Sequence, residues 1–395
     1  MGEIKLSVTV AEIIDALRRH KNVLLYGPPG TGKSHLMNEV SRRFNVEDNG
    51  AAVSQGIFVD TDEEQVPLVE GAAARTPSRW VTFHQGYSYE DFILGLRPHA
   101  EPGGGFSLLP RPGVLLELAA EAQEGAGLLL IDEINRGNTS RIFGEFITLM
   151  EPSKRLDAAG QETPETITLT LPYLAPGESV KIKITNGEER ELHRNFAMPE
   201  PVYTLASMNS VDKSIAPIDT ALRRRFHTIN LFPSTHDLRS AVGLPADDKI
   251  PLDSIGSVKT NEGVARLAVR VMEKLNRGIG LHLGQDFMLG HWYLHSVQAN
   301  SGSANPAALV ETWLFRILPQ LIELFHGRTE VLVALLGLGS SDTGSGVQVY
   351  EPDSDESEAG AIAYLASAEP APQVSEVVEF LQRFAGAPET GSIAP

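Results

Sequence analysis

Five short apolar runs punctuate the first 231 positions: residues 23–26, 80–83, 127–131, 202–206 and 227–231. Each is four or five residues long, too short for a helix and of the right length for a buried strand. Helically spaced stretches lie between them, at about 34–44, 113–124, 139–151 and 216–225, and residues 10–17 carry one apolar face in a short lead-in helix. Strands alternating with helices predict an α/β core, a parallel sheet covered on both faces.

Two insertions interrupt this rhythm. The first, about 97–113, is rich in glycine and proline and reads as a small hairpin or loop. The second, about 153–198, alternates polar and apolar residues over 166–171 and 180–185, and Asn186 with Gly187 is a hairpin turn signal. It is expected to form a β-hairpin projecting from the sheet. After residue 232 the pattern becomes helical, with an amphipathic stretch at 263–276 and a longer helical stretch at 307–326. Residues 338–375 are crowded with Gly, Ser, Asp, Glu and Pro and read as an acidic linker. A last short helix follows over 374–384, and its pattern leaves open whether it docks or hangs free. The expected organisation is an α/β core over 1–232, a small helical domain over 233–337 and an acidic flexible tail with a short helix over 338–395. No internal repeat is present.

Composition narrows the functional classes. The 395 residues suffice for two or three domains, and 42% of them are apolar, ample for a buried core. No apolar run reaches the length of a membrane span, and Met1, Gly2 and Glu3 do not begin a signal peptide. There is no cysteine, which excludes disulfides and thiolate metal sites and is compatible with the expected cytoplasmic location. A net charge of −18 disfavours a general DNA binder, because a polyanion is repelled. A local basic patch, as in the pore of a ring, is still compatible with it.

The chemistry begins at the end of the first strand. Gly27, Pro28, Pro29, Gly30, Thr31, Gly32, Lys33 and Ser34 fit the phosphate-loop pattern G-x-x-x-x-G-K-[ST], between a strand and a helix. Backbone N–H groups of such a loop cradle phosphate oxygens, Lys33 reaches the β- and γ-phosphates, and the Ser34 hydroxyl holds Mg²⁺. With His35 these residues are the candidate nucleotide-binding set. The apolar run 128–131 ends in Asp132 and Glu133; Asp132 is the second candidate Mg²⁺ ligand and Glu133 the group that polarises the attacking water. The run 204–206 leads to Asn209, a candidate polar sensor for the γ-phosphate. Arg223, Arg224 and Arg225 end a helical stretch. They either stabilise its C-terminus or supply an arginine finger to the next subunit. The aromatic cluster Phe83, His84, Tyr87, Tyr89 and Phe92 suits base stacking or, more commonly, packing, and His291 and Trp292 suit either base contact or core packing.

Jointly these motifs resemble the AAA+ superfamily and, more narrowly, the McrB family of motor subunits in methylation-dependent restriction systems. The resemblance rests on residues 84–98, on 130–138 with 142–151, on Met208, Asn209, Ser210, Val211, Asp212, Lys213 and Ser214, and on 219–226. Residues 289–293 match more weakly, and the whole spans about 20–330. It implies an AAA+ core with a helical lid, a ring that is usually hexameric, nucleotide held between protomers, a preference for GTP, and a McrC-like partner that stimulates hydrolysis and brings the nuclease. DNA would then be met through partners, with no membrane role, in defence against foreign DNA. The resemblance also makes Asn209 and Asp212 candidates for the water-positioning network. Two departures accompany it. The family usually carries an N-terminal domain that reads modified DNA, whereas here the motor motifs begin almost at Met1, so recognition is expected from another chain. Lys213 stands where the family signature has arginine, and a point charge cannot reproduce a bidentate guanidinium. GTP and ATP both stay open for that reason, as does an ATP-driven protein remodeller of the MoxR type. The intact Asp132–Glu133 pair disfavours a non-hydrolysing scaffold.

Overall fold

The apolar runs assemble as parallel strands of one sheet. A computed structural model of the chain describes residues 7–44, 78–101, 103–123, 125–184, 187–211, 218–245, 258–299, 304–338, 344–350, 364–367 and 371–386. The chain divides into two units. One comprises Val8–Gly27 and Lys33–Leu231; the other comprises Met1–Ser7, Pro28–Gly32 and Phe232–Pro395.

The first unit opens with α1 (Val10–His20), set by a reciprocal capping box between Thr9 and Glu12. β1 (Asn22–Gly27) and α2 (Lys33–Phe44) follow, then β2 (Ser78–Thr82) and the single turn α3 (Tyr89–Phe92). β3 (Leu94–Ala100) and β4 (Phe106–Pro112) pair antiparallel as the first hairpin, ahead of α4 (Val114–Glu121) and β5 (Gly127–Asp132). Next come α5 (Thr139–Phe143), β6 (Leu169–Thr170), β7 (Ser179–Lys183), β8 (Glu189–His193), β9 (Asn195–Phe196), β10 (Val202–Asn209), α6 (Thr220–Arg223) and β11 (His227–Asn230). The main sheet runs β11-β1-β10-β5-β2, with every pair parallel. β1 lies between β10 and β11, so the chain leaves it at the carboxyl edge where open α/β sheets bind ligands. β7 and β8 form the hairpin of the second insertion, while β6 pairs with β9 at its base. The strands bury continuous apolar runs, for example Leu128, Leu129, Leu130 and Ile131, as burial on both faces requires.

Two helices are shorter than their periodicity suggests. The stretch expected over 139–151 is α-helical only to Phe143 and continues as a 3₁₀ turn over Gly144–Met150. Gly144 adopts φ 51°, and the Tyr89 ring lies 3.0 Å from where its Cβ would be. Of the stretch expected at 216–225, Thr220–Arg223 is helical, and residues 212–217 lie outside the described residues.

The second unit is built on α7 (Thr235–Ala241), α8 (Asn261–His282), α9 (Pro306–Thr312), α10 (Leu318–Leu324) and α11 (Thr329–Leu336). The long helix expected at 307–326 widens to a π turn over Trp313–Ile317, where the Leu318 N–H reaches the Trp313 carbonyl. Pro319 has no N–H and its ring would clash with the carbonyl four residues back, so the wider turn accommodates it. Within the stretch read as a linker, β12 (Val347–Tyr350) pairs antiparallel with β13 (Tyr364–Ser367), and the buried Trp313 donates its Nε1–H to the Ser345 carbonyl at 2.7 Å. The final helix, α12 (Val374–Gly386), docks: Val377, Phe380, Leu381 and Phe384 are buried among the helices of this unit, and Lys274 Nζ donates to the Phe384 carbonyl at 2.7 Å.

Candidate functional site

The phosphate-loop sequence is shaped by its glycines. A Cβ on Gly27 would stand 2.2 Å from the Leu231 carbonyl oxygen, so only glycine fits where β1 passes β11. Gly30 and Gly32 adopt φ 77° and 82°, the left-handed region open to glycine at little cost. Thr31 Oγ1 donates to the Pro28 carbonyl at 3.0 Å. Lys33 is buried, and its Nζ donates to the Gly27 carbonyl at 2.9 Å. Ser34 and His35 are exposed at the start of α2.

Across the sheet, β5 delivers the two acids. Ser34 Oγ lies 3.5 Å from Asp132 Oδ2, so hydroxyl and carboxylate converge from separate elements. The other oxygen, Asp132 Oδ1, accepts a hydrogen bond from Ser207 Oγ, and Ser207 in turn accepts the Glu133 N–H at 3.1 Å. Glu133 itself has φ 54° and ψ 47°, a left-handed backbone that costs a non-glycine residue about 1 kcal/mol or more. That twist turns its carboxylate to Asn209, whose Nδ2 donates to Oε1 at 2.5 Å, while Arg136 Nε sits 3.3 Å from Oε2. The five side chains Ser34, Asp132, Glu133, Ser207 and Asn209 therefore form one connected array. Among the described residues no group of three or more His, Asp or Glu side chains holds a metal by itself. One hydroxyl and one carboxylate is, however, the donor set a Mg²⁺ ion takes when phosphate oxygens and waters complete its octahedron.

Ser207 and Arg136 were not singled out in the sequence. Strand alternation was the available signal for Ser207, because residues two apart on β10 share a face with Asn209. Arg136 stands three residues after Glu133, a common spacing for an ion pair that by itself marks no role.

The three arginines have different surroundings. Arg225 has a side chain only 8% exposed; its Nη1 donates to the Ala221 carbonyl at 2.6 Å and Nη2 lies 3.6 Å from Glu151 Oε2. Arg223 is exposed with its guanidinium 5.8 Å from the centroid of the Tyr26 ring. Arg224 is exposed, and no side-chain partner of it falls among the described residues. Asp219 caps α6 through the Ala221 N–H and accepts from Ser140 Oγ at 2.8 Å, which holds its carboxyl below the usual range. Asp212 and Lys213 lie outside the described residues.

Of the aromatic cluster, Phe83 and Phe92 pack in the core with Tyr87 and Tyr89 half-buried against them, while His84 is exposed. Phe83 and Phe92 are fully buried, with centroids 5.7 Å apart, and Phe92 meets Phe143 at 4.8 Å. Burial first, and then Asp91, pushes the Tyr87 hydroxyl up to about 12. In the second unit, the Gly290 N–H donates to the Pro29 carbonyl at 3.2 Å and the Trp292 N–H to the Gly30 carbonyl at 2.9 Å. Residues 28–32 and 289–293 thus share backbone bonds inside that unit, with His291 buried and Trp292 stacked on His295 at 4.8 Å.

Comparison with known proteins agrees with this geometry. Residues 67–226 match the AAA domain (dynein-related subfamily), and residues 267–332 match the alpha-helical lid domain of McrB. The chain is 31% identical over 323 residues to the Type IV methyl-directed restriction enzyme EcoKMcrB subunit of Escherichia coli (strain K12), covering 80% of this chain and 56% of that protein. It is 26% identical over 233 residues to the Type II restriction enzyme BsuMI component YdiS of Bacillus subtilis (strain 168), covering 52% of this chain and 55% of that protein. The chain thus spans a little over half the length of these curated relatives. Among the described residues no helix is long and apolar enough to cross a membrane.

Proposed function

The chain is a McrB-like AAA+ protein and, by its core, a nucleoside triphosphate hydrolase, and from that premise we propose that it is the ring motor of a restriction system, turning over GTP or ATP with Mg²⁺ to drive a McrC-like nuclease partner on foreign DNA. The observation that carries this reading is the single array joining Ser34, Asp132, Ser207, Glu133 and Asn209. In it the loop Gly27–Ser34 binds the triphosphate, with Lys33 on its terminal phosphates. Ser34 and Asp132 hold Mg²⁺, which when bound neutralises charge on the β- and γ-phosphate oxygens. Glu133 orients and deprotonates the attacking water, and Asn209 fixes the Glu133 carboxylate. Asp212, outside the described residues, is given a water-positioning role by the family resemblance alone. Arg224, with Arg223, serves the adjoining protomer, because Arg225 is already engaged by Glu151 and Ala221. An arginine supplied this way contributes about 10³–10⁵ in turnover in related phosphoryl-transfer sites.

The division of labour follows the sequence. Residues 1–232 do the chemistry and 233–337 form the lid, to which the docked helix α12 adds its buried face. With a net charge of −18, DNA is met through partners in the cytoplasm and not by a general basic surface. The test is co-purification with the proteins encoded beside it, followed by hydrolysis assays with GTP and ATP separately. A nuclease that co-purifies and raises turnover supports the reading; turnover stimulated instead by an unfolded protein substrate favours a MoxR-type remodeller. Glu133→Gln is expected to keep nucleotide binding and lower turnover by about 10²–10⁴; unchanged turnover removes Glu133 from its role.

A further inference from the structure

Arg155 is among the largest fully buried side chains of the chain, 2% exposed, and nothing in the proposed chemistry uses it. Its guanidinium is satisfied by backbone carbonyls and one amide. Nε donates to Leu149 O at 2.9 Å, Nη1 to Val202 O at 2.5 Å and Glu200 O at 3.5 Å, and Nη2 to Met150 O at 3.1 Å and Asn22 Oδ1 at 3.2 Å. Burial pushes it down to about 10, so it stays charged at neutral pH. Asn22, with no exposed surface, continues the chain of bonds: its Nδ2 donates to Met150 O at 2.5 Å and to Arg225 O at 3.2 Å.

These bonds gather the amino ends of β1 and β10 and the residue that leads into β11, the edge opposite Gly27. They also close on the arginine segment. Asn22 holds the Arg225 carbonyl; Glu151, next to Met150, holds the Arg225 guanidinium; and Arg225 holds the Ala221 carbonyl. Residues 221–225 are thereby fastened at both ends, with Arg223 and Arg224 exposed between. Burying an unpaired guanidinium costs several kcal/mol, and an apolar side chain of like volume often serves stability as well or better. What the guanidinium does that an apolar group cannot is fix four carbonyls in direction.

We propose that Asn22 and Arg155 are positioning residues for hydrolysis in the adjoining protomer: they lock the 221–225 segment so that Arg223 and Arg224 project at a set angle to the neighbour's γ-phosphate. The proposal rests on the trans role of these arginines stated above, and the experiment separates the two. Lys33→Ala protomers present arginines but turn over nothing. Protomers with both Arg223→Ala and Arg224→Ala bind nucleotide but present no arginine. Mixing them is expected to restore turnover. If the double arginine variant alone keeps full turnover, the trans role fails before Asn22 is touched.

Given restoration, Lys33→Ala with Asn22→Ala is expected to restore turnover roughly tenfold to a hundredfold less well, the cost of about 1 Å of misplacement. Ring assembly, read by light scattering, and binding of a fluorescent triphosphate analogue by Asn22→Ala alone are expected to stay as in the parent. Asn22→Asp keeps the acceptor for Arg155 but loses both donations, and is expected to behave as Asn22→Ala. If the Asn22 variants fail to fold, Glu151→Ala releases only the Arg225 guanidinium from a half-exposed partner, and a loss of donor capacity in the same direction is expected. Full restoration by Lys33→Ala carrying Asn22→Ala or, where that does not fold, Glu151→Ala overturns the proposal, as does a loss that tracks loss of assembly.

Discussion

Replacing Ser207 with alanine removes one oxygen and two hydrogen bonds from the centre of the array. Ser207 is 1% exposed, so no bulk solvent replaces what is lost, and a void of one hydroxyl is too small for a water. The bond donated to the Asp132 carboxylate is charge-assisted, worth about 1.5–3 kcal/mol, and the Glu133 N–H left without its acceptor costs about 1–3 kcal/mol. The two losses divide between two observables. The stranded N–H acts on stability and is expected to lower the melting temperature by about 2–4 °C per kcal/mol. With Asp132 in its proposed role, its freed carboxylate is expected to weaken Mg²⁺ binding, because Oδ1 would no longer fix the rotation that directs Oδ2 to Ser34. Mg²⁺ needed for half-maximal turnover is expected to rise about tenfold, equivalent to about 1.4 kcal/mol. The same shift is expected in the Mg²⁺ dependence of binding a fluorescent triphosphate analogue, which requires no turnover. Binding without Mg²⁺ is expected to stay unchanged, and Ser207→Thr, which keeps the hydroxyl on a β-favouring side chain, to recover most of the loss. An alanine variant with the parent's Mg²⁺ dependence in both assays would refute the role assigned to Ser207.

Arg224→Ala is expected to lower turnover while leaving the unfolding free energy within about 0.5 kcal/mol of the parent, whereas Arg225→Ala, which breaks the Ala221 and Glu151 contacts, is expected to lower both; equal unfolding behaviour of the two variants speaks against the division drawn here. Gly290→Ala places a Cβ 2.0 Å from the Gly30 carbonyl group, a clash that backbone movement must relieve; weaker triphosphate binding is expected, and parental affinity would show that the loop holds its shape without this contact. The His227 ring, exposed to solvent on one side, stacks on His20 at 4.2 Å, and partial desolvation, then His20 and Arg19, hold its imidazole below the usual value. The unfolded chain therefore takes up that proton first, so stability is full above about pH 7 and falls as pH drops through about 6.5. Thermal unfolding across pH 5.5–8 is expected to have a shallower acid slope in His227→Gln, and an identical slope would remove the pair from the explanation.

Much of this protein is legible along the chain because it is written in neighbours. The five apolar runs, the alternation in the two insertions and the glycines of the phosphate loop each depend on residues a few positions apart, so periodicity and turn chemistry expose them. The same locality predicted unbroken helices at 139–151 and 307–326, and there it misled. Gly144 takes a left-handed turn against the distant Tyr89 ring, and Pro319 is absorbed by a widened turn. Neither effect is visible in a hydropathy pattern.

What amino-acid order alone determined was the parallel αβ architecture and the identity of the residues at the ends of β1, β5 and β10, since strand, loop and candidate catalytic side chain there are consecutive. What only the folded chain decided was which of those groups meet. Ser207 bridges Asp132 and Glu133 because β10 and β5 pair in register, and Arg225 is withdrawn from its two neighbours by Glu151. Arg155 joins β1 and β10, and through Asn22 the arginine segment, from positions 133, 47 and 70 residues apart in sequence from Asn22, Val202 and Arg225. Direction, burial and long-range pairing are properties of packed elements, and no window along the sequence contains them.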